Sequence, residues 1–174
     1  QDVANTVTET DLLNGEFTIP ANAMGTSKTV RVTLIGDYLN NSGVARNITI
    51  TIKLGATVVY QDSWDAIDSD PARRALRIQF ELANLGAANS NVLSGLAGLS
   101  APGRTTTGIG DLNAAMGSTQ NALTVTQAKV TSLVSDGTIA IDTTANQALA
   151  VTVTHSAAAA TISARLHYAI IVVE

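Results

Sequence analysis

Hydrophobic and polar residues alternate along much of this chain. In residues 29–39 one face is formed by the apolar residues Val30, Val32, Leu34 and Tyr38, and the opposite face carries the polar residues Thr29, Arg31, Thr33 and Asp37. A period of two is the period of a β-strand that buries one face. Residues 29–39 are therefore predicted to form a half-buried strand.

A second alternating run follows at residues 48–54, after the turn sequence Asn40-Asn41-Ser42-Gly43. Asn and Gly tolerate positive φ, so this turn between two alternating runs predicts a β-hairpin. Gly55-Ala56 then breaks the pattern, and residues 57–61 resume it as a short strand.

Further alternating runs continue to the C-terminus. They lie at residues 75–85, 91–99, 130–142, 147–155 and 160–173, and a short first strand is expected at residues 16–19. About eight or nine strands without an amphipathic helix are typical of β-sandwiches and barrels. We predict one all-β domain over residues 1–174, an antiparallel two-sheet sandwich of jelly-roll type, with an N-terminal arm at 1–15 and a long loop or insertion at 100–127.

Alternation is lost in residues 63–74, which we interpret as a loop with a helical turn. The segment carries one aromatic and several carboxylates: Trp64, Asp65, Asp68 and Asp70. It lacks the glycine and the final glutamate of a calcium-binding EF-hand, so a solvated acidic loop is preferred to a weak calcium site. These four residues are the candidate ligand loop if the protein binds a glycan.

Composition and charge exclude several classes of partner. The net charge is −4, and no cluster of basic residues is longer than Arg73-Arg74, so nucleic acid is not expected. No apolar run approaches the ~18 residues of a membrane span, so no membrane is expected either. Without cysteine the chain has no disulfides and no thiolate metal sites. Because the sequence opens on Gln1, processing or an upstream leader is expected.

Nucleophilic catalysis would need a histidine, and the chain has only two. His155 shares the inward parity of its strand, whereas His167 shares the outward parity of Ser163 and Arg165. No Gly-x-Ser-x-Gly turn or other nucleophile context accompanies them. We predict no catalytic, cofactor-binding or metal site, and a protein that is not an enzyme.

The last strand is apolar on both faces. Its core set is predicted to be Tyr168, Ile170 and Val172, and Ala169, Ile171 and Val173 lie on the opposite face. A doubly apolar strand needs cover on both sides. We therefore predict a subunit interface at outward positions of two strands, namely Ile35, Leu39, Ile171 and Val173. Cover by the chain's own loop, or an ordinary scatter of surface aliphatics, is the alternative.

Strand and turn segments follow one another in a definite order along the chain: Phe17-Thr-Ile-Pro20-Ala-Asn22, Tyr38-Leu-Asn-Asn41-Ser-Gly43, Ile48-Thr-Ile-Thr-Ile-Lys53-Leu-Gly55, Leu85-Gly-Ala-Ala-Asn-Ser90 and Leu149-Ala-Val-Thr-Val-Thr-His155. This ordered series resembles the β-sandwich virion proteins of tailed bacteriophages, especially cyanophage-like ones. The resemblance implies a jelly-roll virion protein, either a capsid decoration (cement) subunit or a module of a head or tail fibre. It also implies a homotrimer that contacts the major capsid protein or other virion proteins. It implies no catalytic, cofactor or metal residues.

Two other functions compete with decoration. A receptor- or glycan-binding module of a head or tail fibre would use the loop that contains Trp64. A glycan hydrolase would need a cleft with two poised carboxylates and aromatic side chains to stack sugars, and aromatic residues are only 3% of this chain. Decoration is therefore the preferred hypothesis.

Overall fold

The computed structural model describes residues 1–100, 129–134 and 138–174, with side chains from residue 131 onward in the second range. The described residues form β-strands and contain no helix. The strands are β1 (Asp2–Ala4), β2 (Thr10–Asp11), β3 (Thr18–Ile19), β4 (Thr29–Asn40), β5 (Arg46–Leu54), β6 (Thr57–Ile67), β7 (Asp70–Asn84), β8 (Asn91–Leu99), β9 (Lys129–Val134), β10 (Gln147–His155) and β11 (Ile162–Val173). Apart from Ser100, the predicted loop at 100–127 lies outside the described residues.

Two antiparallel sheets pack face to face, which confirms the predicted sandwich. Sheet A has the order β1-β11-β4-β7-β8-β9, and sheet B has the order β2-β10-β5-β6 with β3 also paired to β10. The pairing is nested, because β5:β6 lies within β4:β7 and β2:β10 lies within β1:β11. Nested pairs that alternate between two four-stranded sheets are the jelly-roll arrangement. Strands β8 and β9 extend sheet A beyond it.

The predicted hairpin between residues 29–39 and 48–54 is wrong, because β4 and β5 belong to different sheets. The connection is a corner, and Asn40 stabilises it: its Nδ2 donates to the carbonyl oxygens of Val44 at 2.9 Å and Ile67 at 2.8 Å. The same turn residues occur in a connection between two sheets and in a hairpin within one sheet. The local sequence therefore does not distinguish the two connections. The tight hairpin joins β5 to β6 instead, through Gly55 at φ 58°.

Inward side chains of the two sheets form one core. The inward set predicted for residues 29–39 is confirmed, and the alternating runs predicted at 48–54, 75–85 and 147–155 also bury one face each. Fully buried members include Val32, Leu34, Ile50, Ile52, Ile78, Phe80, Val151 and Val153. Burial of each such side chain stabilises the fold by roughly 1.5–3 kcal/mol. The N-terminal arm is part of this core, because β1 extends sheet A, β2 extends sheet B, and Val3, Leu12 and Leu13 are buried.

Residues 63–74 do not form the predicted loop. β6 continues to Ile67 and β7 begins at Asp70. A β-bulge places Asp65 and Ala66 opposite the single residue Asn47, with Ala66 at φ 53° and its N–H donating to Asn47 Oδ1 at 3.0 Å. Trp64 and Ile67 therefore both face the core although they are three positions apart. The extra residue removed the alternation from the sequence without ending the strand.

Candidate interaction surface

A β-bulge in β11 decides which side chains reach the surface. The register against β4 shifts between Leu166 and Tyr168, so His167 is an extra residue. Gly36 lies opposite Leu166, where a Cβ atom would collide with the backbone oxygen of Arg165. Only glycine allows the two strands to approach this closely at the bulge. Beyond the bulge, every side chain of β11 changes face relative to a regular strand.

This change reverses the predicted assignment of the last strand. Directly paired residues share a face of the sheet. Ile171 pairs with Val32 and Val173 with Val30, so both are on the inner face, and the predicted outward position of these two residues is wrong. Ile171 is half-buried against the core. Ile35 and Leu39 do lie on the outer face, where both are half-buried.

The residues predicted for the core are on the outside instead. Tyr168 is 55% exposed, Ile170 43% and Val172 40%. They line one face of β11, and we call them the outer apolar strip. Across the same face of sheet A, β7 presents polar residues, Arg77, Gln79 and Glu81. Contiguous exposed apolar residues with a polar surround are typical of interaction sites.

On the side away from β4, residues 168–173 of β11 have no strand partner among the described residues, and we call this side the free edge. β1 pairs only with residues 163–165, and the last contact on that side is Leu166 N–H to Gln1 O at 2.9 Å. Beyond it, no strand among the described residues pairs with that side of β11. Glu174 exchanges both backbone hydrogen bonds with Thr29, at 2.9 and 3.0 Å. By alternation, the N–H and C=O groups of Ala169, Ile171 and Val173 point away from β4, to the free edge.

A groove lies beside this edge on the inner side of the sheet. Its volume is about 370 Å³, and it lies between β11 and the segment that joins β2 to β3. Apolar side chains line much of it: Leu13, Phe17, Leu166 and Ala169. Neither the edge nor the groove was predicted. Gly36 is the one residue whose type points to a bulge. A glycine in a strand indicates a close backbone contact only once the opposite strand is known.

A polar cluster lies next to the strip at the bulge. His167 Nε2 is 2.7 Å from Asp37 Oδ2, Asp37 also pairs with Arg73, and Arg73 Nη1 donates to Ser163 Oγ at 3.0 Å. The residue types are those of a catalytic triad, but the Ser163 hydroxyl is buried and bonded to a guanidinium. A nucleophilic serine needs its hydroxyl on a base. The cluster instead ties β11 to β4 and β7.

The two histidines lie as predicted, one buried and one exposed. His155 is in the core, with Nε2 3.0 Å from the carbonyl oxygen of Val3, and burial lowers its pKa. Exposed His167 belongs to the polar cluster. No group of three or more His, Asp or Glu residues in the described part of the chain is placed to hold a metal ion. None of the described segments is a helix that could cross a membrane.

The aromatic residue of the predicted ligand loop lies in the core, whereas the carboxylates of the same segment do not. Trp64 is only 4% exposed and packs in the core. Asp65 and Asp68 are exposed, whereas half-buried Asp70 accepts a hydrogen bond from the Ala72 N–H at 2.7 Å. Sugar recognition commonly uses an aromatic ring that is open to solvent. This segment offers carboxylates without such a ring.

Comparison with known proteins adds no relative: no family model matches the chain, and no curated protein or solved structure matches it significantly.

Proposed function

We propose that this chain is a structural subunit that acts by binding other protein subunits, and that it decorates a tailed-phage capsid as a cement protein. The outer apolar strip is the observation that carries the proposal. Its three side chains are each about half exposed. Covering them would stabilise an assembly by roughly 1 kcal/mol per side chain.

The remaining surface also suits permanent contacts. Charged residues are only 14% of the chain, and outward positions of the strands are often Thr, Ser or Gln. Neutral polar groups cost less to remove from water than charged groups do. An interface over such a surface needs few ion pairs to offset desolvation.

Catalysis is not part of the proposal. In the described residues, the one histidine with a carboxylate partner, His167, has no hydroxyl or thiol bonded to it. The other histidine is buried against Val3. General base catalysis needs a base within reach of the substrate proton. Nothing in this geometry supports a hydrolase.

The phage setting comes from the resemblance of the ordered strand and turn segments. The proposed partners are sister copies and the major capsid protein or another virion protein, and the proposed location is the virion. The homotrimer that the resemblance implies stays a prediction. The glycan-binding alternative is less well supported, because its aromatic residue, Trp64, is buried.

Co-sedimentation with cyanophage heads stripped of their decoration proteins tests this function. We expect saturable binding of hundreds of copies per head, as a capsid lattice would provide. Tyr168→Ser combined with Val172→Ser should weaken binding about tenfold or more, because both side chains belong to the outer apolar strip. Val134→Ser is the matched control, since this exposed valine lies on the other edge strand of sheet A.

Two results would contradict the proposal. Heads that bind no protein would exclude decoration of this lattice. Binding that the double variant leaves intact would exclude the outer apolar strip as the contact. A glycan array with reproducible hits in the absence of head binding would favour the receptor-binding module.

A further inference from the structure

We infer that two copies of this chain pair antiparallel through the free edge of β11, which joins their A sheets into one continuous sheet. The inference rests on the proposed function, because it names one of the protein partners that a structural subunit would bind. It follows from the backbone groups, charges and groove at that edge.

The two lateral sides of the sandwich differ. On one side, β9 and β6 are bridged by side chains: Thr131 Oγ1 donates to Asp62 Oδ2 at 3.0 Å and lies 3.3 Å from Tyr60 Oη. On the other side, β1 covers β11 only as far as Leu166. Proteins usually protect an open edge with charged residues, proline or a short strand. Residues 168–173 contain neither proline nor a charged residue.

The occupant of such an edge must itself be an extended strand, since the unpaired groups are backbone N–H and C=O. A second β11 meets this requirement with the same apolar pattern. Antiparallel pairing around a two-fold axis places Ile171 opposite itself and Ala169 opposite Val173 of the other copy. About six backbone hydrogen bonds result, because each hydrogen-bonded residue pair exchanges two.

The position of Leu166 and the groove select this register. Residues 168–174 of the two copies pair, and Leu166, which is already bonded to Gln1, stays outside the pairing. A register centred on Ile170 would instead place Glu174 of the other copy opposite Leu166 and against Gln1. In the chosen register, the Val173 side chain of one copy also lies on the inner face beside Ala169, at the groove next to β11.

Charge disfavours the parallel direction. Glu174, whose side chain is 3.2 Å from Arg31, lies at one end of the free edge, and Arg165, which pairs with Asp2, lies beyond the other end. In-register parallel pairing would place Glu174 beside Glu174, whereas antiparallel pairing keeps the two glutamates apart. Like charges directly opposite each other destabilise a strand pair. The antiparallel direction is therefore favoured.

The contact is small. A strand pair of about six residues buries less than the ~1,600 Å² of a standard interface, so we expect a dissociation constant in the micromolar range. The contact is isologous and closes at two copies. It therefore cannot by itself form the trimer that the resemblance implies.

Sedimentation equilibrium of the full chain from about 1 µM to 1 mM tests the inference. Wild type should be a reversible dimer. Ile170→Lys should raise the dissociation constant on the order of 100-fold, because the two-fold axis brings two new charges together. Ala169→Pro should act similarly, since its N–H points to the free edge and the ladder to β4 does not use it. Val134→Lys, on the opposite edge strand, should leave the dimer unchanged.

Disulfide cross-linking tests the register in a chain that has no cysteine. Ile170 of one copy lies opposite Val172 of the other at a non-hydrogen-bonded position, where the Cα atoms of a strand pair are about 4.5 Å apart. An oxidised mixture of the I170C and V172C variants should therefore cross-link much more than either variant alone. Equal cross-linking of I170C by itself would contradict this register.

A monomer at 1 mM, or an oligomer that neither Ile170→Lys nor Ala169→Pro weakens, would overturn the inference. Melting curves show whether Ile170→Lys and Ala169→Pro fold. If one of them does not, the dissociation constant of the other tests the inference. Head binding by a monomeric wild type would leave the proposed function intact and remove only this contact. A dimer that binds no heads would support this contact and contradict the proposed function.

Discussion

Buried polar side chains lie at both ends of the sandwich, and the two groups differ in how well they are hydrogen-bonded. At one end, Asn84, Asn91 and Thr143 form a connected network. Asn84 Nδ2 donates to Gly25 O at 2.7 Å and to Thr143 Oγ1 at 2.9 Å, and Asn91 Nδ2 donates to Asn84 Oδ1. Asn91 Oδ1 in turn accepts from the Ile141 N–H at 2.9 Å.

At the other end, three aromatic residues bury polar atoms that have no hydrogen-bond partner among the described residues. These atoms are Tyr38 Oη, Trp64 Nε1 and His155 Nδ1. The Tyr38 and His155 rings stack with centroids 5.9 Å apart. Burial raises the pKa of the Tyr38 phenol to about 12 and lowers that of His155.

The difference shows two uses of polar residues in one core. The amide network links β7 and β8 to the segments around Gly25 and residues 138–143, so its hydrogen bonds hold irregular chain in place. The aromatic end instead fills volume between the sheets with large rings. Removal of a partner from a satisfied network leaves buried groups unpaired, whereas removal of an unpaired group loses no hydrogen bond.

Asn91→Ala should have the largest effect. It leaves Asn84 Oδ1 and the Ile141 N–H without their partner, so we expect the free energy of unfolding to fall by about 3 kcal/mol. Urea denaturation measures this loss. Asn41→Ala, at an exposed position, is the control and should change stability by less than about 0.5 kcal/mol. A loss below 1 kcal/mol for Asn91→Ala would show that the network contributes little.

Thr143→Val tests a single branch of the same network. The Thr143 hydroxyl donates to Ala88 O at 2.8 Å and accepts from Asn84, and valine keeps its shape without either bond. We expect a loss of about 1.5 kcal/mol, smaller than that of Asn91→Ala because the Asn84–Asn91 bond remains. If the two variants were equally destabilised, the network would act as one indivisible unit.

Acid should weaken the aromatic end through His155. Its pKa is lowered by burial, so the unfolded chain binds a proton at higher pH than the folded chain does. Stability should be full above pH ~6.5 and should fall as pH drops below it, by at most about 1.4 kcal/mol per unit until the folded-state pKa is reached.

Melting temperatures from pH 7.5 to 5 measure this effect. His155→Gln keeps a donor for the Val3 carbonyl and does not titrate, so it should flatten the profile. Asn41→Ala, at an exposed position with no titratable group, should retain the wild-type profile over this range. A slope that survives His155→Gln would assign the titration to another group.

Tyr38→Phe should have the smallest effect. The hydroxyl that it removes has no partner among the described residues, so no hydrogen bond is lost and stability should change by less than about 1 kcal/mol, with a gain as the expected sign. Differential scanning calorimetry beside Asn91→Ala gives the contrast directly. A loss above 2 kcal/mol would reveal a hydrogen-bond partner of the hydroxyl, and the contrast between the two ends would fail.

Local pattern was sufficient for the regular strands of this protein. The inward sets of β4, β5, β7 and β10 follow from alternation, because a strand with one buried face must repeat every two residues. The inward His155 and the outward His167 were predicted by the same parity. Pattern failed where a bulge adds a residue, since the phase of the alternation changes there without a change in residue type.

The same limit explains the errors around the candidate surface. Residues 63–74 lost their alternation at the bulge near Ala66, and Trp64 was placed in a loop although it belongs to the core. Because of the bulge at His167, Ile171 and Val173 lie on the inner face, where the outer apolar strip was predicted, and the strip lies on the outer face. One inserted residue is enough to turn a strand face from core to surface.

The sequence by itself therefore determined an all-β sandwich, its main core residues and the doubly apolar last strand, because these depend on composition and local periodicity. Only the tertiary structure decided that β4 and β5 lie in different sheets, that Gly36 accommodates a bulge, and that residues 168–173 of β11 pair with β4 alone among the described strands. These features depend on which strands meet, and strand pairing joins residues that are far apart in the chain. The outer apolar strip and the free edge are products of that pairing.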